Sequence, residues 1–422
     1  MASNTRRAFL SRSLGGALAL PSLSRAVQTA SSPYRRPKLK ITDVRTAEVT
    51  VHGYQLHVRI YTDQGIFGHG EAVDSVQGGV PIIRSFRRML VGRDPLNVEA
   101  LFERIRTQGL FAGAQAGVYI SALTAVEIAL WDLAGKALGV PVYQLLGGQV
   151  RDRVRVYCDS GLRNDISTAG ERSAAKVQQI KDMGFTAIKI DIDNGGDPAR
   201  FDRVNWTASN GEIDHMIAKV ATVRELFPKE VDIAADMHGR YDMTTGRRVA
   251  RMLEPYRLMW LEEPVPPDNI DAMRQVREAT ITPICCGENL FLRYPFRELL
   301  EKRAVDIVMP DLQKAGGLLE GRKIADLAHT YFVPFAPHNV ASPIGTMATA
   351  HVCAAVPNFM IYEWHWLESY DLWKNWVKEG EIIEKGYIRL PERPGIGVEM
   401  NEEHARKAQI RNTTWFEPSQ GA

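Results

Sequence analysis

The sequence has little cysteine, almost no charge imbalance and, beyond its N-terminus, no apolar run that we expect to span a bilayer. Two of the four cysteines, Cys285 and Cys286, are adjacent, which is poor geometry for an ordinary disulfide, and no pair has zinc-site spacing. We expect all four to be buried as small apolar residues. With 52 basic and 50 acidic residues, nothing indicates the clustered basic face that binds nucleic acid. We therefore expect neither a nucleic-acid partner nor a membrane partner.

The N-terminus differs in composition from the rest of the chain. A twin arginine, Arg6 and Arg7, precedes a mildly apolar stretch from Leu14 to Leu23 and small residues around Ala26 and Ala30. This order is typical of a Tat-type signal peptide, which we assign to residues 1–32. It predicts export to the periplasm; without such a signal the protein would be cytoplasmic. The alternative is a disordered tail that contains an arginine pair by chance.

Residues 33–152 have the pattern of a small α+β domain. Three strand-like runs come first, with a turn signal at 63–65 before the third. The clearest helix runs from Ser121 to Leu138 with apolar residues near helical spacing, and Gly139 and Pro141 end it. The predicted strands cover 39–52, 54–62 and 66–72.

Residues 153–365 alternate short Val- and Ile-rich runs with amphipathic helical stretches, a pattern that indicates parallel strands. Eight such runs favour an α/β fold closed as a (β/α)7β TIM-like barrel. An open doubly wound sheet is the alternative, but no Gly-rich dinucleotide fingerprint follows any run. We expect residues 366–422 to pack back on the first domain. The eight runs are 154–159, 187–192, 231–236, 258–262, 283–288, 305–310, 332–337 and 359–363.

An ionisable residue ends or directly follows each of the last six runs. The spacings of 26, 26, 23, 27 and 25 residues between them are each close to one β/α unit. Because the carboxyl ends of barrel strands converge on one mouth, six ionisable groups are predicted to share one small space. They are Asp236, Glu262, Glu288, Asp311, His338 and Glu363.

Asp236, Glu262 and Glu288 lie on consecutive predicted strands. Packed together without a counter-ion, three carboxylates would repel one another, and some would have to protonate. A hard divalent cation removes this conflict, and an all-oxygen ligand set favours Mg²⁺ or Mn²⁺ over zinc. Solvated carboxylates or helix caps are the alternative for any one of them, but not for three at matching positions.

His338 and Asp311 lie at neighbouring strand ends, where a carboxylate can orient an imidazole and raise its basicity, so we predict that His338 is a general base. His238 lies two residues after the first predicted metal ligand and faces the same cavity, which suits a proton-donating role. Lys189 ends the second barrel strand. Two interpretations of Lys189 stay open: it binds an anionic substrate, or it forms a salt bridge with Asp191.

Residues 39–400 resemble the mandelate racemase branch of the enolase superfamily. The motifs that carry the resemblance are ALWDLAGK at 129–136, GVP at 139–141, LLGG at 145–148, WLEEP at 260–264, GE at 287–288 and KAGG at 314–317. Within that family, DMHGR at 236–240 followed by EPY at 254–256 looks most like the galactonate-type aldonate dehydratases.

The resemblance implies one Mg²⁺ per subunit held by the carboxylate trio, a His–Asp dyad at His338 and Asp311, and a Glu363 that hydrogen-bonds the substrate carboxylate. It implies that His238 expels the leaving hydroxyl, and that the first domain closes over the mouth and sets substrate choice. We expect substrate contacts from His52, Tyr54 and Arg240, a small-molecule sugar acid as substrate, and a homo-oligomer.

One departure from the family pattern bears on the reaction. Racemases of this family carry Lys-x-Lys after the second barrel strand, whereas this chain has Asp191 as the third residue of that motif. Since racemisation needs two bases, we predict a lyase: a Mg²⁺-dependent dehydratase acting on an aldonate such as galactonate. The alternatives are a racemase or epimerase of a hydroxy acid, and a non-catalytic exported protein that binds a sugar acid.

Overall fold

The computed structural model describes residues 36–418 apart from 52, 75, 163–169, 194–201, 203 and 366. The predicted signal peptide therefore lies outside the described residues. The first three described strands form one antiparallel sheet in which each strand pairs with the next along the chain. They are β1 (Ile41–Val51), β2 (Gly53–Thr62) and β3 (Phe67–Val73). The turn between β2 and β3 places Gly65 at φ 77°, a left-handed conformation that glycine adopts without steric cost.

Four helices follow this sheet in the described part of the chain, and the third of them packs on β3. Its close approach depends on Gly70, where an added Cβ would lie 2.1 Å from the carbonyl oxygen of Ala125. Glycine is therefore required at this crossing. The helices are α1 (Gly79–Leu90), α2 (Val98–Gln108), α3 (Gly117–Leu138) and α4 (Val142–Leu145).

Helix α3 is long and apolar enough, by length and composition, to cross a membrane, which the sequence interpretation missed. However, 83% of its apolar window is buried inside the protein. The helix packs against β2, β3, α1 and α2. Its apolar composition is therefore explained by its central position in the core of the first domain.

Parallel strands form the second domain and close into a barrel, because the last strand pairs with the first. The register is continuous; for example, Asp191 lies opposite Asp236, and Asp236 lies opposite Glu262. The strands are β4 (Arg153–Asp159), β5 (Ala187–Asp191), β6 (Asp232–Asp236), β7 (Trp260–Glu262), β8 (Ile284–Cys286), β9 (Ile307–Val308) and β10 (Tyr362–Trp364).

Seven helices surround the strands, so the prediction of a (β/α)7β barrel with an N-terminal α+β domain is confirmed for the described residues. They are α5 (Gly170–Asp182), α6 (Asn210–Leu226), α7 (Met243–Met252), α8 (Ile270–Arg277), α9 (Arg293–Glu301), α10 (Leu318–Thr330) and α11 (Pro343–Ala355).

The predicted strand at 332–337 is wrong in length. Phe335 forms only isolated parallel bridges, to Val308 on one side and Phe359 on the other, and these bridges close the barrel at its seventh position. The reason lies in Pro334 and Pro337, which have no N–H to donate to a ladder of hydrogen bonds.

The C-terminal segment contacts both domains. The hairpin of β11 (Ile383–Glu384) and β12 (Tyr387–Arg389) pairs with the start of β4. Further along, Gln409 and Trp415 form antiparallel bridges to β1. Two short helices lie in the described part of this segment: α12 (Tyr370–Lys374) precedes the hairpin, and α13 (Glu402–Ala405) lies between the hairpin and the bridges to β1.

Candidate active site

The ionisable side chains at the mouth lie directly above an apolar layer inside the barrel. That layer takes one or two residues from each strand position, for example Ala234 on β6 and Trp260 on β7. Since alternate residues of a strand face the same side, the residue two positions later points into the mouth, as Asp236 and Glu262 do. The other pairs of this kind are Tyr157 and Asp159, Ala187 and Lys189, Met309 and Asp311, Ala336 and His338, and Ile361 and Glu363.

The structure brings the predicted metal ligands together. One carboxylate oxygen from each of Asp236, Glu262 and Glu288 lies within 4.8 Å of the other two, and all three side chains are buried. Burial and repulsion from Asp236 raise the pKa of Glu262 well above its ordinary value. Burial alone would raise the pKa of Glu288, but nearby His338, Lys314 and Lys189 lower it to about 2. The trio therefore crowds three acidic groups into one buried space, which favours protonation of Glu262 unless a cation binds there.

Lys189 supplies positive charge to this cluster. Its ammonium lies 2.8 Å from Glu363 Oε1, 3.1 Å from Glu262 Oε1 and 3.2 Å from Asp236 Oδ2. These ion pairs raise the pKa of Lys189 well above its ordinary value, although burial opposes them. Of the two interpretations of Lys189, its position in the mouth fits contact with an anionic ligand.

The donor set fits a hard divalent cation. Three carboxylates from consecutive strands present oxygens to one point. Three buried carboxylates repel one another more than a single ammonium can offset, and a divalent cation bound among them would remove that repulsion. Asn289 helps to orient Glu288, to which it donates at 3.3 Å, and it also donates to neighbouring Glu263 at 2.7 Å.

His338 and Asp311 form the expected pair. Asp311 Oδ2 lies 2.7 Å from His338 Nδ1, and the two residues also form a parallel backbone bridge. The other ring nitrogen, Nε2, lies 3.0 Å from Glu288 Oε2 and so faces the carboxylate trio. Burial lowers the pKa of His338, but Glu288, Glu363 and Asp311 outweigh it and raise the pKa to about 10.

His238 faces the same trio from the other side of the barrel. Its Nε2 atom lies 3.6 Å from Asp236 Oδ2, and its backbone N–H donates to Asp236 Oδ1 at 2.7 Å. Burial lowers the pKa of His238, but Asp236, Asp193 and Asp191 raise it to about 11. Because His238 follows the third of eight strand positions and His338 the seventh, the two imidazoles approach the mouth from opposite sides.

The predicted substrate contacts of the first domain and of Arg240 have other partners or lie outside the described residues. His52 is not among the described residues. The Tyr54 hydroxyl hydrogen-bonds Glu48 on the neighbouring strand. The Arg240 guanidinium lies 2.5 Å from Asp193 Oδ2, with its side chain 55% exposed. Substrate contact by these three residues stays a prediction.

Sequence reasoning missed three residues at the barrel mouth: Asp159, Asp193 and His365. Asp159 ends β4, and its Oδ2 atom lies 3.0 Å from His365 Nε2 and 4.0 Å from the Lys189 ammonium. Asp193 lies two residues after β5 and contacts His238. The alternation that found His238 after Asp236 would also have found His365 after Glu363 and Asp193 after Asp191. All four cysteines are free and buried, as expected.

Two family models match this chain over most of its length. Residues 172–404 match the model described as "Enolase C-terminal domain-like", and residues 30–147 match "Mandelate racemase / muconate lactonizing enzyme, N-terminal domain". The chain belongs to the mandelate racemase/muconate lactonizing enzyme family of the enolase superfamily. The family prediction made from the motifs is thereby confirmed.

Proteins similar to this chain include two that are named as dehydratases. The D-xylonate dehydratase of Haloferax volcanii is 41% identical over 382 residues, which cover 90% of this chain and 91% of the relative. A D-galactonate dehydratase of Xanthomonas campestris is 34% identical over 376 residues, or 86% of this chain and 93% of the relative. Dehydratases are hydro-lyases.

Among solved structures, a mandelate racemase/muconate lactonizing enzyme-like protein from Rubrobacter xylanophilus superimposes with a TM-score of 0.86. It is 44% identical, and the match covers 91% of this chain and all of the other chain. The similarity extends over both domains, which agrees with the observed arrangement of a capping domain and an α/β barrel.

Proposed function

We propose that this protein is a sugar-acid dehydratase that removes the proton of carbon 2 and the hydroxyl of carbon 3 from an aldonate such as galactonate. One observation carries the proposal: the imidazoles of His338 and His238 face one carboxylate cluster from opposite sides of the barrel. Dehydration needs a base at carbon 2 and an acid at the leaving hydroxyl, and this pair supplies both. The reactions for which the D-xylonate and D-galactonate dehydratases are named support the same reaction class.

The first step is abstraction of the carbon-2 proton by His338. Asp311 holds Nδ1 of the ring, so Nε2 is left to accept the proton on the side of the cluster. Such a carbon acid is far weaker than imidazolium, and the negative charge that develops on the substrate carboxylate has to be stabilised. Lys189 and Glu363 contact each other at 2.8 Å in the mouth, where they bind and orient that carboxylate.

Asp236, Glu262 and Glu288 would hold Mg²⁺, because their hard oxygen donors match the ligands that this ion prefers. When bound, the ion supplies Lewis-acid stabilisation of charge on the substrate carboxylate. The chain itself keeps the three carboxylates buried, and Asn289 helps to orient Glu288.

The second step is loss of the 3-hydroxyl. The electron pair left on carbon 2 forms a double bond to carbon 3 as the carbon–oxygen bond breaks. His238 donates its proton to the departing hydroxyl, which leaves as water. The enol product then tautomerises to a 2-keto-3-deoxy acid.

The same two imidazoles also fit an epimerase, since one could remove the carbon-2 proton while the other returns a proton to the opposite face. This alternative predicts inverted, solvent-labelled substrate without loss of water. Deuterium at carbon 2 of the recovered acid, in the absence of a keto acid, would favour it.

The decisive experiment is a screen of the purified protein against aldonates, aldarates and uronates, with D-xylonate and D-galactonate tested first. Formation of an α-keto acid is followed with added Mg²⁺ and with EDTA. His338→Asn is compared with His329→Asn, because His329 is exposed on α10, away from the mouth.

We expect keto-acid formation that needs Mg²⁺, is lost in His338→Asn and is kept in His329→Asn. Absence of a keto acid from every substrate would refute the proposed reaction. Tight sugar-acid binding that survives His338→Asn, without turnover, would instead support a non-catalytic binding protein.

A further inference from the structure

Asp193 has a position that the mechanism above does not use. Its side chain is 2% exposed, although it lies beyond the end of β5 at the barrel mouth. Oδ1 lies 2.8 Å from His238 Nδ1, and Oδ2 lies 2.5 Å from Arg240 Nη1. Both oxygens of one buried carboxylate are thus directed at the DMHGR turn.

The imidazole of His238 needs such a support. The residue lies after β6 with φ 49°, outside regular strand geometry, and its side chain is 30% exposed. A ring in this position can turn about its side-chain torsions unless a partner holds it. Contact of Nδ1 with Asp193 leaves Nε2 directed at Asp236, 3.6 Å away, and at Asp191, 3.9 Å away.

The arrangement repeats that of the base on the other side of the barrel. Asp311 lies opposite His338 in a parallel bridge and contacts Nδ1 at 2.7 Å. On β5 and β6 the last registered pair is Asp191 with Asp236, so the same register extended by two residues sets Asp193 opposite His238. In both cases a carboxylate of the preceding strand position holds Nδ1 and leaves Nε2 to face the carboxylate trio.

We propose that Asp193 is a positioning residue for His238, and that Arg240 fixes Asp193 in this conformation. The inference rests on the proposed dehydration and assigns a second His–Asp pair to its elimination step. Asp193 takes up no proton. It accepts a hydrogen bond from Nδ1–H and fixes the direction of the doubly protonated ring. The Nε2 proton is then transferred to the 3-hydroxyl while the carbon–oxygen bond breaks and water leaves, and the neutral ring keeps its proton on Nδ1.

The contact with Arg240 gives this residue a role other than the substrate binding predicted from the sequence. Its guanidinium bonds one oxygen of Asp193, and the other oxygen is then set toward the imidazole. A charged donor on one carboxylate oxygen restricts rotation of the whole group. Loss of Arg240 should therefore weaken the elimination step in the same manner as loss of Asp193, but by less.

The test compares Asp193→Asn, Arg240→Gln and the control Asp232→Asn. Asp232 lies at the opposite end of β6 and pairs with Arg155 at the barrel base, so the control makes the same chemical change far from the mouth. Each protein is assayed in D₂O with whichever of D-xylonate or D-galactonate the native protein converts faster. Keto-acid formation gives kcat and KM, and deuterium at carbon 2 of recovered substrate reports proton abstraction alone.

For Asp193→Asn we expect kcat to fall about 10- to 100-fold with KM changed less than about 3-fold, in the range seen when a partner that orients a histidine is removed. Deuterium exchange should persist, so that the ratio of exchange to elimination rises at least about 10-fold. Arg240→Gln should shift this ratio in the same direction, and Asp232→Asn should match the native protein.

An Asp193→Asn protein with native kcat would overturn the inference, as would equal losses of exchange and elimination, which indicate a general disturbance of the site. If Asp193→Asn does not fold, as judged by its thermal unfolding, the ratio measured for Arg240→Gln decides, and a native ratio there overturns the inference. A native protein that forms no keto acid refutes the proposed function itself, which is a separate outcome.

Discussion

Glu71, on the last strand of the first domain, accepts hydrogen bonds from the backbone N–H of Ser342 at 2.8 Å and of Gly345 at 2.9 Å. A buried carboxylate of the first domain therefore binds the N-terminus of α11, the helix that begins five residues after His338. Gln313 connects the same helix to Asp311, because its side chain donates to the Gly345 carbonyl and its N–H donates to Asp311. The two domains are thus joined next to the pair of His338 and Asp311.

Replacing Glu71 with alanine should lower both stability and activity. Two buried N–H groups at a helix N-terminus would lose their acceptor, at a cost of about 2–4 kcal/mol in the free energy of unfolding. We expect kcat to fall more than KM rises, since the dyad moves with the helix. Urea unfolding and steady-state kinetics measure the two effects. Glu225→Ala, on the exposed face of α6, is the control, and equal stability of the two variants would contradict the prediction.

Magnesium should stabilise the folded protein through the carboxylate trio. A ligand present at 100 times its dissociation constant adds about 2.7 kcal/mol to the free energy of unfolding. Glu262→Gln removes one charged donor from the site, so we expect the increase in Tm with Mg²⁺ to shrink to a small fraction of the native increase.

Thermal unfolding without Mg²⁺, and at Mg²⁺ concentrations raised in 10-fold steps, measures this effect. Glu301→Gln, at the end of the surface helix α9, should keep the full increase. A Glu262→Gln protein that Mg²⁺ stabilises as strongly as the native protein would place the ion elsewhere.

Because the His351 ring is buried, we expect the folded protein to lose stability in acid. The ring is fully buried; its Nδ1 atom accepts from the Tyr143 N–H at 3.1 Å, and its Nε2 atom lies 3.1 Å from the Ile396 carbonyl. Burial lowers its pKa to about 4, below the value of about 6.5 expected for the unfolded chain. The unfolded chain therefore binds more protons between these values, and the stability from this group is lost as pH falls through that window.

The His351→Gln variant isolates this effect. Its deficit in the free energy of unfolding, relative to the native protein, should shrink by up to about 1.4 kcal/mol per pH unit as pH falls from about 6.5 to about 4. Urea unfolding at several pH values measures the two slopes. Parallel slopes would contradict the prediction, and exposed His329→Gln should follow the native curve.

We propose that the twin arginine directs export. Replacing Arg6 and Arg7 with lysines keeps the charge but removes the pair that a Tat system recognises. We expect the changed protein to stay in the cytoplasm, while the native protein appears in the periplasm, as measured by fractionation of cells that express each form. Equal periplasmic amounts would argue for the alternative of a tail without a targeting function.

The sequence by itself determined the barrel and the identity of most mouth residues. Strand alternation has a period of two and each β/α unit has a nearly constant length, so Asp236, Glu262 and His338 could be assigned to the same barrel end without coordinates. Glu288 fits this rule less simply. It lies three residues after the inward-facing Cys285, with Gly287 between them at φ 146°, and it was indicated by its spacing from Glu262 and by the Gly-Glu motif at 287–288.

Only the tertiary structure decided which partner each of these groups meets. Lys189 was left between two interpretations, because spacing along a strand gives the side on which a residue lies but not the distances to charges on other strands. The contact of Glu71 with Ser342 joins residues 271 positions apart, and no periodic pattern relates them. Asp193 and Arg240 are closer in sequence, but their pairing depends on how two turns pack after the strands end. Regular backbone geometry can be inferred from local residue patterns, whereas contacts between irregular segments are fixed by packing of the whole chain.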